Sequence, residues 1–377
     1  MKILYAIQGT GNGHISRART FIPRLKQIAD VDVLVSGSSS EVSPGVPVTY
    51  RVSGLGYRFG TDGGIDYAGS IRDFHPVTLV QDVHHLPVND YHFVISDFEP
   101  VSAYACRIAG KMCFGLSHQA SFLSQNSPRP PRKSLLGEAI FRHYAPCTHP
   151  VGFHFREYDQ FIYPPVIRDE VRKLETPPCF EKQPVLIAGN GSASRPNPIG
   201  RRSHITVYLP AYDDLLLLKQ FEQITDVDWH IFSKASTRSY EKGHMHVRPV
   251  SQKEYLESLK HCAGVICGTG FEAPSEALFL GKPLLTIPMR GQYEQWCNAA
   301  ALELEGISVC RSIDRSFPDK LRNWLSHPNP KKIPFPDRTD DVIAHILAEY
   351  EKSRTRVATP SSSSHWQKHA ELQSNPH

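Results

Sequence analysis

The chain has 377 residues, 40% hydrophobic and 21% charged, with 25 Gly, 30 Pro, 8 Cys and a formal net charge of +4. At about 100–200 residues per domain this leaves room for two domains with cores of their own, and it excludes collagen, coiled coil and wholesale disorder. The charge is too small for its length to argue for nucleic acid, and no apolar run approaches the ~20 residues of a membrane span.

The first run, residues 3–8, is apolar and ends in Gly9-Thr10-Gly11-Asn12-Gly13-His14, after which Ile15, Ala18, Phe21, Ile22 and Leu25 recur at helical spacing. Strand, glycine loop and helix in that order open a Rossmann-like unit. The same opening residues lack the length and small-residue cleavage site of a signal peptide, so a soluble cytoplasmic protein is expected. A second strand follows at 30–36. Further on, 94–99 places Asp97 at the carboxyl end of a short apolar strand, with Glu99 two residues later. Residues 126–144 mix Arg129, Arg132, Lys133 and Arg142 with Leu135, Leu136, Ile140 and Phe141, a basic amphipathic pattern that suits a helix on the core or a helix on an anionic membrane surface.

Tyr163-Pro164-Pro165-Val166-Ile167-Arg168 reads as a hinge, because successive prolines resist both helix and central strand. The passages 28–39 and 224–236 echo each other at the same place in a strand-helix-strand order, so two similar α/β halves are expected. The echo sets the first strand of the second half at 205–209 and leaves the glycine-rich stretch 185–195 in the connection. The expected division is a first domain at 1–163, a connecting segment at 164–204, a second domain at 205–335, a docked helix at 336–352 and a disordered tail at 353–377. Eight cysteines with no CxxC pair read as reduced, buried thiols.

The longest patterned string runs from 264 to 299. An apolar strand meets the turn Gly268-Thr269-Gly270, and a helix starts either at Thr269, with Glu272 completing a capping box, or at Pro274. Gly281 then closes it. Either start turns unpaired N–H groups and the positive end of the helix dipole toward the sheet's carboxyl edge, where a diphosphate binds well.

In its order of motifs the string resembles the donor-nucleotide signature of GT-B glycosyltransferases. The closest branches are the family of the peptidoglycan N-acetylglucosaminyl transferase and the family 1 UDP-glycosyltransferases. The matching residues are Gly270, Ser275-Glu276, Gly281-Lys282-Pro283, the strand 284–288 and Glu294-Gln295 ahead of Asn298-Ala299. The resemblance implies that Gly268, Thr269 and Gly270 meet the diphosphate, Glu276 the ribose, and Glu294, Gln295 and Asn298 the donor sugar. Gly11-Asn12-Gly13-His14 resembles the loop of the same families, with the glycines close to the donor and His14 standing between donor and acceptor as the base, since imidazole exchanges protons near neutral pH. Asp97 is the expected orienting partner, with Glu99 as its substitute, and Glu99 and His118 are candidates for the acceptor side.

The implied protein is α/β, of GT-B form, with two Rossmann-like parallel-sheet domains facing across a cleft. The implied reaction is an inverting, metal-independent transfer from a nucleotide-diphosphate sugar, a UDP-sugar on the resemblance, to a hydroxyl acceptor of the lipid-linked or cell-envelope kind. Segment 129–144 would touch the inner face of the membrane. No cofactor, metal or nucleic acid is expected; the Asp30/Asp32 and Asp226/Asp228 pairs stand at strand entrances, away from the edge where ligands bind. A nucleotide-sugar 2-epimerase of the same fold and a non-catalytic nucleotide-sugar sensor remain as rivals. Arg290-Gly291-Gln292-Tyr293 departs from the family pattern and leaves the sugar open.

Overall fold

A run of apolar residues with no polar alternation, such as that in β1 (Lys2–Gln8), suits a strand covered on both faces, and this is how it is used. A computed structural model describes residues 1–9, 12–37, 45–54, 58–59, 65–66, 75–174 and 203–358. Gly11, the stretch 185–195 and the end of the expected tail lie outside the described residues, as does the side chain of Asn12.

The first sheet comprises β1, β2 (Asp30–Ser36), β3 (Tyr50–Val52), β4 (Phe93–Asp97), β5 (Cys113–Ser117), β6 (His149–Phe153) and β7 (Ile162–Tyr163), in the order β3-β2-β1-β4-β5-β6-β7 and parallel throughout. The second comprises β8 (His204–Tyr208), β9 (Asp228–Ser233), β10 (Tyr240–Lys242), β11 (Met245–Pro249), β12 (Gly264–Gly268), β13 (Leu284–Ile287) and β14 (Ser308–Val309), in the order β10-β11-β9-β8-β12-β13-β14. Only β10 runs antiparallel to its neighbour in this sheet. The strand order reverses beside β1 and β8, and in such sheets ligands bind outside the carboxyl ends at that switch point.

The helices that matter here are α1 (Asn12–Leu25), α2 (Pro76–His85), α3 (Pro100–Ala109), α4 (Leu135–His143), α5 (Asp214–Phe221), α6 (Gln252–His261), α7 (Glu272–Phe279), α8 (Tyr293–Leu304), α9 (Phe317–Ser326) and α10 (Thr339–Ala358). α1 buries Ile15, Ala18, Phe21, Ile22 and Leu25 against the first sheet. One core cluster is continuous between the halves, taking in Phe21 and Phe153 from the first, Phe271 and Leu278 from the second, and Val342 and Ile346 from α10. Arg24 on α1 pairs with Asp337 just ahead of α10 at 2.6 Å, so the last helix returns to the first half. α10 continues through Ala358 instead of ending at 352; exposed pairs one turn apart, Glu349–Lys352 and Glu351–Arg354, extend it with little burial.

Candidate active site

The register Ile7↔Asp97 puts Asp97 at the carboxyl end of β4, beside the loop that leads from β1 into α1. Phe98 follows with φ 54°, the single positive φ outside glycine among the described residues. A bulky residue held there stores strain of order 1–3 kcal/mol. The turn lets consecutive carboxylates face opposite ways. Asp97 points toward α1, while Glu99 points back and caps α3 by accepting from the amides of Val101 at 2.8 Å and Ser102 at 2.7 Å. Glu99 is buried in this cap and is neither a substitute partner nor an acceptor-side group.

His14, the third residue of α1, places Nδ1 2.7 Å from Asp97 Oδ1. With the proton on Nδ1, the other ring nitrogen holds a free lone pair, and His14 lines the cleft while Asp97 stands behind it at 0% exposure. Arg17 Nε and a terminal nitrogen of Arg17 take both Asp97 oxygens, at 2.9 and 2.7 Å. Burial by itself would raise the Asp97 carboxyl; Arg17 and then His14 outweigh it and hold the group below its ordinary value.

On the facing wall α7 starts at Glu272. The expected starts at Thr269 and Pro274 are both corrected: no side chain caps the helix, and Thr269 is buried with its hydroxyl donating to Gln295 O at 2.9 Å. Packing of the turn against α8 has taken the hydroxyl that the capping box needs. Among the described residues the amides of Gly270, Phe271, Glu272 and Ala273 meet no hydrogen-bond acceptor. A Cβ placed on Gly270 would meet nothing within 4 Å, so this helix N-terminus opens on free space. Uncapped amides and the helix dipole at such a position can receive an anion.

The two walls share one cavity of about 1110 Å³, whose lining includes His14, Arg17, Phe98, Gly270, Glu272 and Glu294. They also touch. The Glu272 carboxylate lies where a Cβ on Gly13 would sit, and Arg17 reaches Glu272 Oε1 at 3.4 Å.

The remaining expected donor residues are partly engaged. Glu276 lines the cleft, but Arg168 from the hinge holds both of its oxygens, at 2.6 and 2.9 Å. Burial pushes its carboxyl up and Arg168 offsets only part of that. Glu294 accepts from the Gln119 amide at 2.9 Å, and burial raises it too. Gln295 accepts from Met289 N at 2.9 Å and donates to Gln292 at 2.8 Å, so its amide shapes the turn before α8. Asn298 is fully buried between Thr269 O at 3.1 Å and His118 at 2.8 Å. His118 stacks on Phe271 with ring centres 3.9 Å apart, so His118 and Asn298 join the halves and present no polar group to a ligand. Gly268 ends β12 beside Ile287.

Segment 129–144 forms the cleft's side wall through Leu136, Ile140, Phe141 and Tyr144. Arg129 is paired with Glu138 at 2.6 Å over the rings of Phe122 and Phe141, and α4 seats Gly137 against the Tyr293 ring of α8. Leu135 and Leu136 remain 88% and 65% exposed. The sequence reading missed Arg17, which stands one turn after His14 on the same helix face, where the i, i+3 rule could have found it. Arg168 appeared only as part of a hinge and Glu272 only as a cap. Among the described residues no group of three or more His, Cys, Asp or Glu could hold a metal ion, and no helix is long and apolar enough to cross a membrane.

Two Rossmann-like domains facing across a cleft, with an ionisable cluster on one wall and a helix N-terminus on the other, define a GT-B architecture. The chain belongs to glycosyl transferase family 1, whose family model matches residues 78–327. Among solved structures, the spinosyn forosaminyltransferase SpnP is similar over 95% of this chain and 100% of its own, at 14% identity and a TM-score of 0.51. The spinosyn rhamnosyltransferase SpnG is similar over 95% and 100%, at 15% identity and 0.51, and MurG of Acinetobacter baumannii over 92% and 99%, at 12% and 0.50. At these identities the likeness is one of fold. No curated protein matches the chain by sequence.

Proposed function

We propose that this glycosyltransferase moves a sugar from a UDP-sugar to an acceptor hydroxyl with inversion and without a metal ion. His14 removes the hydroxyl proton through the ring nitrogen that faces the cleft. The acceptor oxygen attacks the anomeric carbon as its bond to the diphosphate breaks, and the diphosphate leaves with the electron pair. Free amides at the start of α7 stabilise the charge that collects on the leaving group, the work a divalent cation does elsewhere. The observation that carries this reading is the His14–Asp97 pair at 2.7 Å sharing one cavity with the uncapped N-terminus at Gly270.

The acceptor in this reading is amphipathic, a lipid-linked glycan of the cell envelope. Leu136, Ile140 and Tyr144 give its apolar part a wall, and exposed Leu135 with Arg132, Lys133 and Arg142 beside it suits contact with an anionic membrane face. The donor reading is tested by thermal unfolding with UDP, TDP, GDP and ADP. UDP at about 100 times its Kd should stabilise the fold by about 2.7 kcal/mol, and more than the other three. Equal shifts, or none, would refute the UDP donor.

A further inference from the structure

Arg17 occupies a position that neither strand patterning nor the glycine motif explains. It is 4% exposed, so a guanidinium has been taken out of water, which is costly unless its partners repay the lost hydration. Three groups surround it. Asp97 takes two of its N–H donors in a fork at 2.9 and 2.7 Å, His14 Nδ1 lies 3.2 Å away, and Glu272 of the opposite half is 3.4 Å from the remaining terminal nitrogen. The fork fixes the plane of the Asp97 carboxylate. That plane decides whether Oδ1 meets the imidazole in line, and a lysine with its point charge cannot impose it.

We infer that Arg17 is a positioning residue: it holds Asp97 against His14 Nδ1 and ties that pair to Glu272, so that the base and the N-terminus of α7 stand at a set spacing. This rests on the reading of His14 as the base. The charge balance points the same way. Around His14 stand Asp97 from β4, Arg17 from its own helix, Glu294 from α8 and His118 from the loop after β5, with Glu272 from α7 against the neighbouring Gly13. Three of these are carboxyl groups, and Arg17 is the one fixed cation among them. Without it Asp97 would lose the guanidinium that fixes its carboxylate plane and would stand buried with no fixed cation among these groups.

The test uses the full chain labelled with ¹⁵N-histidine, with the His14 signals identified by their loss in His14→Ala. The wild type should show His14 protonated on Nδ1. In Arg17→Gln the single tautomer should give way to a mixture of the Nδ1–H and Nε2–H forms. Arg17→Lys keeps the charge but not the fork and should not restore the single tautomer. A folded Arg17→Gln with the wild-type tautomer would overturn the inference. Should Arg17→Gln fail to fold, Arg17→Lys decides alone, and a wild-type tautomer there overturns it equally. UDP binding by calorimetry on the wild type is scored separately: its absence would refute the proposed donor while leaving the spectroscopic result in force.

Discussion

In the first half, the turn after β1 leads into a helix whose third and sixth residues meet a buried carboxylate, so the sheet edge carries ionisable side chains. In the second half, the turn after β12 leads into α7, whose first amides meet no hydrogen-bond acceptor among the described residues and whose preceding Gly270 has no described atom within 4 Å of a Cβ placed on it. The topology is nearly the same and the electrostatics are opposite. A His-Asp-Arg cluster can move a proton but cannot hold two phosphates. A bare helix N-terminus can hold phosphates but has nothing that titrates near neutrality. Facing the two edges across one cavity gives each the property the other lacks, and Arg17 with Glu272 is where they meet.

Removing the proposed proton acceptor breaks the first edge while leaving the second whole, and this should give the largest effect. His14→Ala should lower sugar transfer from the donor by about 10²- to 10⁴-fold. UDP affinity, read by calorimetry, should change little, because the imidazole lies on the other wall. A variant that transfers at the wild-type rate would show that the two edges do not divide the work in this way.

Charging the second edge should give the next largest effect. Gly270→Asp adds a carboxylate at the proposed diphosphate site and should weaken UDP binding by roughly 10- to 100-fold. Gly270→Ala is the steric control, since a Cβ there meets nothing within 4 Å, and it should bind UDP nearly as the wild type does. Equal losses in both variants would mean that glycine is needed for shape and not for an anion.

Periodicity and glycine placement made the two sheets legible, because parallel strands covered on both faces leave long apolar runs and their turns need small residues. The pairing of His14 with Asp97 was also legible, since a strand's carboxyl end and a neighbouring turn are adjacent in any such sheet. What the sequence hid is long-range and polar. Arg168 meets Glu276 across 108 positions, and Arg17 meets Glu272 across 255. No local pattern encodes such pairs. Thr269 misled for the same reason: its local spacing spells a capping box, while tertiary packing against α8 gives its hydroxyl a better partner in Gln295 O. Glu99 shows the reverse case, a residue that stands near the site in sequence and is spent on a helix cap.

The junction between the edges gives the smallest effect, and it is read in stability. Burial pushes His118 down to about 3 from its ordinary 6.5, against the acceptors Phe153 O and Asn298 Oδ1, which favour the charged form. Between those two values the unfolded chain binds a proton that the folded chain refuses. Stability should therefore be complete above pH 6.5 and decline as the pH falls toward 3. His230, in the second half, is likewise pushed down to about 3 by burial and by His204, so each half contributes to the slope. Urea unfolding at pH 7, 6 and 5 separates them. His118→Gln loses the stack on Phe271 and should be less stable throughout, but its stability should fall less steeply with acid than the wild type's; His230→Gln should remove a different share of the slope. If His118→Gln keeps the full wild-type slope, the neutral imidazole is not what seals the two edges together, and the packing of Phe271 alone must do so.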